Sequence, residues 1–333
     1  MNFRPGLVAA AVLLSVPAAA RTLAVGEDRE YKLPSEAIAA AEDGDTVLID
    51  PGEYFDCAIV RRNDLTIAGV SGGSGAAVLS DKVCEEKALL VLRGNNTVVR
   101  NLTLQRARVP DGNGAGIRVE SSNLTVDHVR FDNDEVGILS GAGGGTVTVT
   151  ESTFTRGGVG GVQPKYAIMI ANSALLTVSK CTFSDVKGGQ ITTAATRSVI
   201  SNNRIGVGAG AADEEPSYAV IATDGALQVE GNVITVGPLF PRPGAAIGLW
   251  DGATGVIVNN ELVNKTGRSM ALVKDWTWGE PTLQGNRIGA DDSLVSSSGI
   301  WRHRGSKQYY ESKAEAHALA SSAKQMIKRA LGR

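Results

Sequence analysis

A short β-rich run that closes on an apolar residue recurs eight times along this chain: VVRNLTL, TVDHVRF, TVTESTF, TVSKCTF, VISNNRI, QVEGNVI, VIVNNEL and TLQGNRI. Repetition at this scale constrains the fold more than any single motif, because each unit buries its apolar side only against its neighbours. The closing positions are Leu104, Phe131, Phe154, Phe183, Ile205, Ile234, Leu262 and Ile288. Their interval is shortest from Phe183 to Ile205 and longest from Phe154 to Phe183 and from Ile205 to Ile234. With a rise of about 3.3 Å per residue and tight corners, roughly 22 residues complete one turn of a coil, which is the shortest interval. The longer intervals therefore predict insertions on one side of it. A second apolar pattern lies between the first: Gly116-Ile117, Gly137-Ile138, Ala167-Ile168, Gln190-Ile191, Ala219-Val220, Ala246-Ile247 and Gly299-Ile300. Each turn thus offers about three short strands stacked in parallel on the next. Forty glycines against six Phe, six Tyr and four Trp fit such a turn-rich all-β solenoid and disfavour a helical bundle.

Column identity adds detail. Two positions before the closing one stand Asn203, Asn232, Asn260 and Asn286, with Ser152 and Cys181 earlier. Stacked asparagines at a corner bond one another and the turn backbone, and Phe131, Phe154 and Phe183 form an inward column that stacks. Open ends of a coil need covers. Residues 34–41 read as a short helix with a Pro or Ser start signal, placed to plug the N-terminal mouth. Ser306 to Leu331 reads as a second helix with an imperfect apolar face of Tyr310, Ala314, Leu319, Met326 and Ile327. It either caps the last turns or lays Lys324, Lys328 and Arg329 on a membrane surface. Cys57 and Cys84 stand one turn apart in sequence, which suits a disulfide in an exported protein; Cys181 reads as a buried, inert thiol.

Arg4, the apolar stretch Leu7 to Val16 and the small residues Ala18-Ala19-Ala20 read as a cleaved export signal with the cut before Arg21. About ten apolar residues are too few to span a bilayer, which takes about 20. The expected organisation is a signal at 1–20, a coil at 21–305 and a helical tail at 306–333, in a secreted or periplasmic protein without a transmembrane segment. Lys and Arg number 33 and Asp and Glu 35, a net charge of -2, so there is no electrostatic footprint for nucleic acid.

The segment AIAAAEDGDTVLIDPGEY (Ala37 to Tyr54), then DLTIAGV (Asp64 to Val70) and the asparagine-bearing turns, resemble the right-handed parallel β-helix proteins of the pectin-lyase-like superfamily. The resemblance covers roughly residues 31 to 305. It implies a right-handed, single-stranded parallel β-helix and a polysaccharide partner, since lyases, glycosidases, epimerases and tail-spike-like binders share the fold. A fold does not name a reaction. Polygalacturonase-type enzymes pair Asp-Asp with Gly-His-Gly and Arg-Ile-Lys; this chain has Asp291-Asp292 but no Gly-His-Gly, and its three histidines are His128, His303 and His317. The Asp-Pro-His-Asp of alginate epimerases is also absent, and no calcium-dependent pectate lyase motif is complete.

Two clusters carry candidate chemistry. Lys165, Tyr166 and Lys187 stand before the strands that begin near Ile168 and Ile191. The two lysines are separated by one minimal turn, which sets them side by side. A β-eliminating lyase needs a base for the C5 proton of a uronate, an acid for the leaving oxygen, and positive charge or Ca²⁺ for the carboxylate. A lysine with a like-charged neighbour and Tyr166 supply the first two; Asp132, Asp134 and Glu135 are the candidate calcium ligands, and calcium is the one cofactor the pattern suggests. The second cluster aligns Trp250 with Lys274, and Asp224 with Asp251 and Asp275. Trp250, Lys274, Arg302 and Arg242, with Gln190 from the first cluster, are the candidate sugar-binding residues. The expected function is an exported protein acting on acidic polysaccharide by β-elimination; the alternative is a non-catalytic binder or organiser of an exopolysaccharide or envelope component. Oligomeric state is not legible.

Overall fold

A computed structural model describes residues 20–72, 75–141, 144–158, 166–207, 218–237, 245–266, 270–277, 280–288 and 300–302. Within them the chain winds as a parallel solenoid of three sheets. Sheet A has 11 strands, from Thr22–Val25 to Thr282–Gln284. Sheet B has 10, from Gly52–Tyr54 to Arg287–Ile288, and sheet C has 10, from Ala58–Val60 to Ile300–Arg302. Every pairing between these strands is parallel and joins one turn to the next, as in Val126↔Val149 or Phe131↔Phe154.

One alternation explains sheets A and B. Every second position points inward and is fully buried, as Val126, Val149, Val178, Ile200, Val229 and Ile257 are in sheet A. Sheet B repeats this with Leu104, Phe131, Phe154, Phe183 and Ile205. The three phenylalanine rings stack face to face, with centroids 4.6 and 4.8 Å apart and planes within 4°. Gly137 opposite makes room for them: a Cβ there would sit 2.7 Å from the Phe154 ring.

The corner from sheet A to sheet B is where the asparagines work. Asn203 N–H donates to Asn232 Oδ1, Asn232 N–H to Asn260 Oδ1, and Asn260 N–H to Asn286 Oδ1, each at 2.9 Å. Each amide Nδ2 also bonds a carbonyl of the turn before, such as Asn232 to Ile200 O at 2.9 Å. The residue preceding each ladder position takes a left-handed conformation: Asn202, Gly231, Asn259 and Gly285, with φ of 56, 64, 55 and 64°. Asn and Gly alternate for a steric reason. A Cβ on Gly231 would meet Asn202 Oδ1 at 2.8 Å, and one on Gly285 would meet Asn259 Oδ1 at 2.3 Å.

The extra residues of the long turns enter at the corner from sheet B to sheet C. That connection runs over 106–114, 156–165 and 208–219 in the longer turns, but only over 133–135 and 185–188 in the shorter ones.

A helix occupies Pro34–Ala40, with Pro34 in its first turn. Glu36 Oε2 accepts from Leu33 N–H (3.1 Å) and the fully buried Asp56 from Ser35 N–H (2.8 Å), which satisfies donors the helix itself leaves open. Ala37 and Ile38 are buried against the strands 22–25, 46–49 and 58–60. It is the one helix among the described residues; the expected helix at 306–331 lies outside them, as do Asp291, Asp292, His303 and His317. No helix among the described residues is long and apolar enough to cross a membrane. Cys57 and Cys84 are disulfide-bonded, tying the first turn to the second. Cys181 is free and buried in the ladder column, its N–H donating to Asn203 Oδ1 (2.8 Å). Burial pushes its thiol up to about 11, so little thiolate forms near neutrality. Iodoacetamide at pH 8 is expected to leave the native protein unmodified and to add one carbamidomethyl group once it is unfolded, read by intact mass; labelling of the folded protein would contradict this placement.

Candidate functional site

Sheet C differs from the other two in carrying apolar residues on both faces, so strands such as Ala88–Leu92 and Val136–Ser140 read as continuous buried runs. Inside lie Leu90, Ile117, Ile138, Ile168, Ile191, Val220, Ile247 and Val273. Outside, the register stacks Val91, Arg118, Leu139, Met169, Thr192, Ile221, Gly248 and Lys274 in one column.

Its C-terminal end carries an aromatic platform. Trp250 and Trp276 follow Leu249 and Asp275, which are register partners, so the indoles sit one turn apart in one column. Their centroids are 6.4 Å apart with planes 21° from parallel. Tyr218 meets Trp250 edge-on at 5.1 Å, and Lys274 Nζ lies 4.6 Å from the centre of the Trp276 ring. Both tryptophans are half-buried, and Tyr218 is buried. The Trp250 ring covers Gly248, where a Cβ would fall 1.9 Å from it. Tyr166 lies in the same way over Gly189, its register partner, at 2.8 Å.

This geometry corrects the alignment read from the sequence. The spacing sets Lys274 beside Trp250 and Val273 beside Leu249; the structure pairs Gly248 with Lys274 and Leu249 with Asp275, a shift of two positions. Asp275 turns inward, 4% exposed, and its Oδ1 caps Thr277 through N–H (2.9 Å) and Oγ1 (2.8 Å). Asp224 and Asp251 are exposed turn residues instead, so no column of three aspartates forms.

The other expected residues divide. Lys165 and Arg242 lie outside the described residues, and Arg302 is placed by its backbone, opposite Asp275. Lys187 is exposed, two residues ahead of Gly189, the register partner of Tyr166. Gln190 does not reach the surface. It is 0% exposed, inside the coil, with Nε2 donating to Val186 O (3.3 Å) and Gly188 O (3.1 Å) and Oε1 without a partner. The chain bends there, so Gly189 faces out while Gln190 and Ile191 both face in.

Asp132, Asp134 and Glu135 do not converge. Burial pushes the Asp132 carboxyl up, but its ion pairs with Arg156 and Arg130 outweigh that and hold it below the usual range. Asp134 is fully enclosed; its Oδ1 accepts from Ala107 N–H (2.8 Å), and burial drives its pKa well up. Glu135 Oε2 accepts from Val109 N–H (3.1 Å) and Gly114 N–H (2.7 Å), fastening the 106–114 connection. Among the described residues no group of three His, Cys, Asp or Glu side chains is arranged to hold a metal ion. His128 is also spoken for, between Asp127 (3.0 Å) and Glu151 (2.9 Å) at the corner between sheets A and B.

The sequence matches the family described as the right handed beta helix region over residues 87–266, more than half of the chain. The protein belongs to the right-handed β-helix family. Among solved structures the pectate lyase Pel9A is similar to this chain with a TM-score of 0.55 at 13% identity, over 84% of this chain and 79% of that one. Two more are similar at lower scores. Pectin methylesterase from carrot has a TM-score of 0.49 at 16% identity, covering 89% and 91% of the two chains. Alginate lyase from Paenibacillus sp. has 0.46 at 11% identity, covering 81% and 99%. At 13% identity the likeness to the pectate lyase shows the β-helix fold and no more. None of the curated proteins matches this chain.

Proposed function

We propose that this β-helix protein binds an acidic polysaccharide along the outer face of sheet C, with Trp250 and Trp276 as the stacking platform and Lys274 as the partner of a sugar carboxylate. The observation that carries the reading is the paired indoles one turn apart with an ammonium 4.6 Å from one ring. An indole face takes the C–H side of a sugar ring, and a cation beside it selects for charge. Successive turns are about 4.8 Å apart, so a polysaccharide laid along the axis meets one set of side chains per turn. Arg118, six turns from Lys274 in the same column, supplies a second cation to the face. The pectate lyase of the same fold is named for an acidic polysaccharide.

The test is retention on a panel of acidic and neutral polysaccharides by affinity electrophoresis. One acidic member is expected to retard the protein, with retardation falling as salt rises. Trp276→Ala is expected to weaken binding roughly tenfold, about 1.4 kcal/mol. Equal mobility of wild type and variant on every member would remove the reading.

A second reading, β-elimination at the same face, is favoured by one placement: Tyr166 over Gly189, with the exposed Lys187 two residues before that glycine. Lys187 or Lys165 would take the C5 proton and Tyr166 would protonate the leaving oxygen. An absorbance rise from unsaturated product that Lys187→Ala or Tyr166→Phe abolishes supports it; binding without any such rise leaves the protein a binder. The helix at 34–40 serves, in this reading, as the cover of the N-terminal end.

A further inference from the structure

We infer that the chain is cut at the Ala20–Arg21 peptide bond and that the α-ammonium so released becomes an ion-pair partner of Asp45. The main-chain nitrogen of Arg21 already donates to Asp45 Oδ1 at 2.8 Å. The Arg21 guanidinium holds Asp45 Oδ2 through Nε (3.1 Å) and Nη2 (2.7 Å), and Glu42 N–H donates to the same oxygen at 2.8 Å. Asp45 is 2% exposed, and the Arg21 guanidinium, working against burial, keeps its carboxyl well below the usual range. A buried carboxylate is therefore built around residue 21. Arg21 O accepts from Thr46 N–H (2.8 Å), which makes Arg21 the point where the chain joins sheet A. Ala20, by contrast, is exposed and makes no hydrogen bond among the described residues.

The sequence supplies the other half. Ala18 and Ala20 place small side chains at the third and first positions before the bond, after the apolar stretch Leu7 to Val16, the pattern an export peptidase cuts. Hydrolysis breaks the Ala20 C–N bond; the hydroxyl of water goes to the Ala20 carbonyl carbon and its proton to Arg21 N. The leader departs with the Ala20 carboxylate, and Arg21 keeps an ammonium at neutral pH.

Charge shows what a terminus at Arg21 gives the folded protein. Asp45 and Glu42, whose Oε1 lies 3.7 Å from Arg21 Nη2, carry two negative charges against one guanidinium. The precursor cluster is thus one charge short of neutrality, and the new ammonium supplies it. A neutral N–H···O bond becomes a charge-assisted one, about twice as strong. A terminus one residue longer would put its charge on Ala20, beyond the cluster.

The full chain, expressed with its own leader in an exporting bacterium and recovered outside the cytoplasm, is expected to show the intact mass of residues 21–333. A terminus at any other residue, or an uncut leader, would overturn the proposal. Three purified chains test the ion pair: one starting at Arg21, the same chain N-acetylated, and one starting at Ala20. The free Arg21 chain is expected to melt about 2 °C or more above the other two, with the gap shrinking in high salt and vanishing in Asp45→Asn. Equal melting of the three would refute the pairing, and that comparison stands even where Asp45→Asn fails to fold.

Discussion

Asn232→Ala is expected to cost about 3–5 kcal/mol. The Asn232 side chain makes five hydrogen bonds. Oδ1 accepts from Asn203 N and Nδ2 at 2.9 Å each, and Nδ2 donates to Ile200 O (2.9 Å), Glu230 O (3.1 Å) and Asn260 Oδ1 (2.9 Å). Truncation leaves the buried Asn203 N–H without its partner and takes one bond each from the Ile200 and Glu230 carbonyls, and a buried group left unsatisfied costs about 1–3 kcal/mol. Because the ladder is continuous, the loss spreads to the turns on either side. Asn286 is the last rung described and only partly buried, and its side chain serves one neighbour instead of two. Asn286→Ala is expected to cost about half as much. Urea titration of the two variants checks this, with hydrogen exchange to show which turns open, since a solenoid unfolds through nearest-neighbour units. Equal losses, or a loss under about 1 kcal/mol for Asn232→Ala, would mean that the ladder decorates the corner without holding it.

Phe154→Ala is expected to lose about 3–5 kcal/mol by a different route. The ring is 1% exposed and sandwiched between Phe131 and Phe183, so its removal opens a cavity between two turns that the parallel strands prevent from closing. Each stacked pair adds about 0.5–1.5 kcal/mol beyond burial. Leucine is native to this column at Leu104 and isoleucine at Ile205, both fully buried. Phe154→Leu is therefore expected to recover more than half of the loss. A thermal melt of the two variants separates the cases; an alanine variant as stable as the leucine one would show that the column tolerates the void.

Both effects are legible in the sequence because sheets A and B alternate. An inward residue repeats every turn with an outward polar one beside it, so Asn232 and Phe154 fall into columns by inspection. Sheet C offers no such contrast. Its apolar residues lie on both faces, and a shift of two positions leaves the hydrophobic pattern equally good. That is why spacing alone makes Asp275, an inward cap for Thr277, the partner of Asp224 and Asp251, and why it sets Lys274 beside Trp250. Gln190 is misplaced by spacing for a related reason: Gly189 turns out over its corner and the next two residues both turn in. Closeness in sequence suggests one calcium site for Asp132, Asp134 and Glu135, yet each is drawn to a different donor across the sheet B to sheet C corner. One signal for the aromatic platform is present. Trp250 and Trp276 stand one turn apart in sequence, the same argument that relates Cys57 to Cys84. Gly248 and Gly189, which let rings lie on the sheet, look like any other of the forty glycines until the rings are seen above them.

The measurement closest to the central claim is calorimetric titration of the protein with an acidic oligosaccharide of defined length, beside Trp276→Ala, Trp276→Phe and Lys274→Met. Sugar stacking on the sheet C platform predicts binding that Trp276→Phe largely keeps and Trp276→Ala weakens roughly tenfold. It also predicts that Lys274→Met reduces the salt dependence while the protein stays folded. Unchanged affinity in all three variants, with the oligosaccharide still bound, would place the site elsewhere on the solenoid and contradict the account.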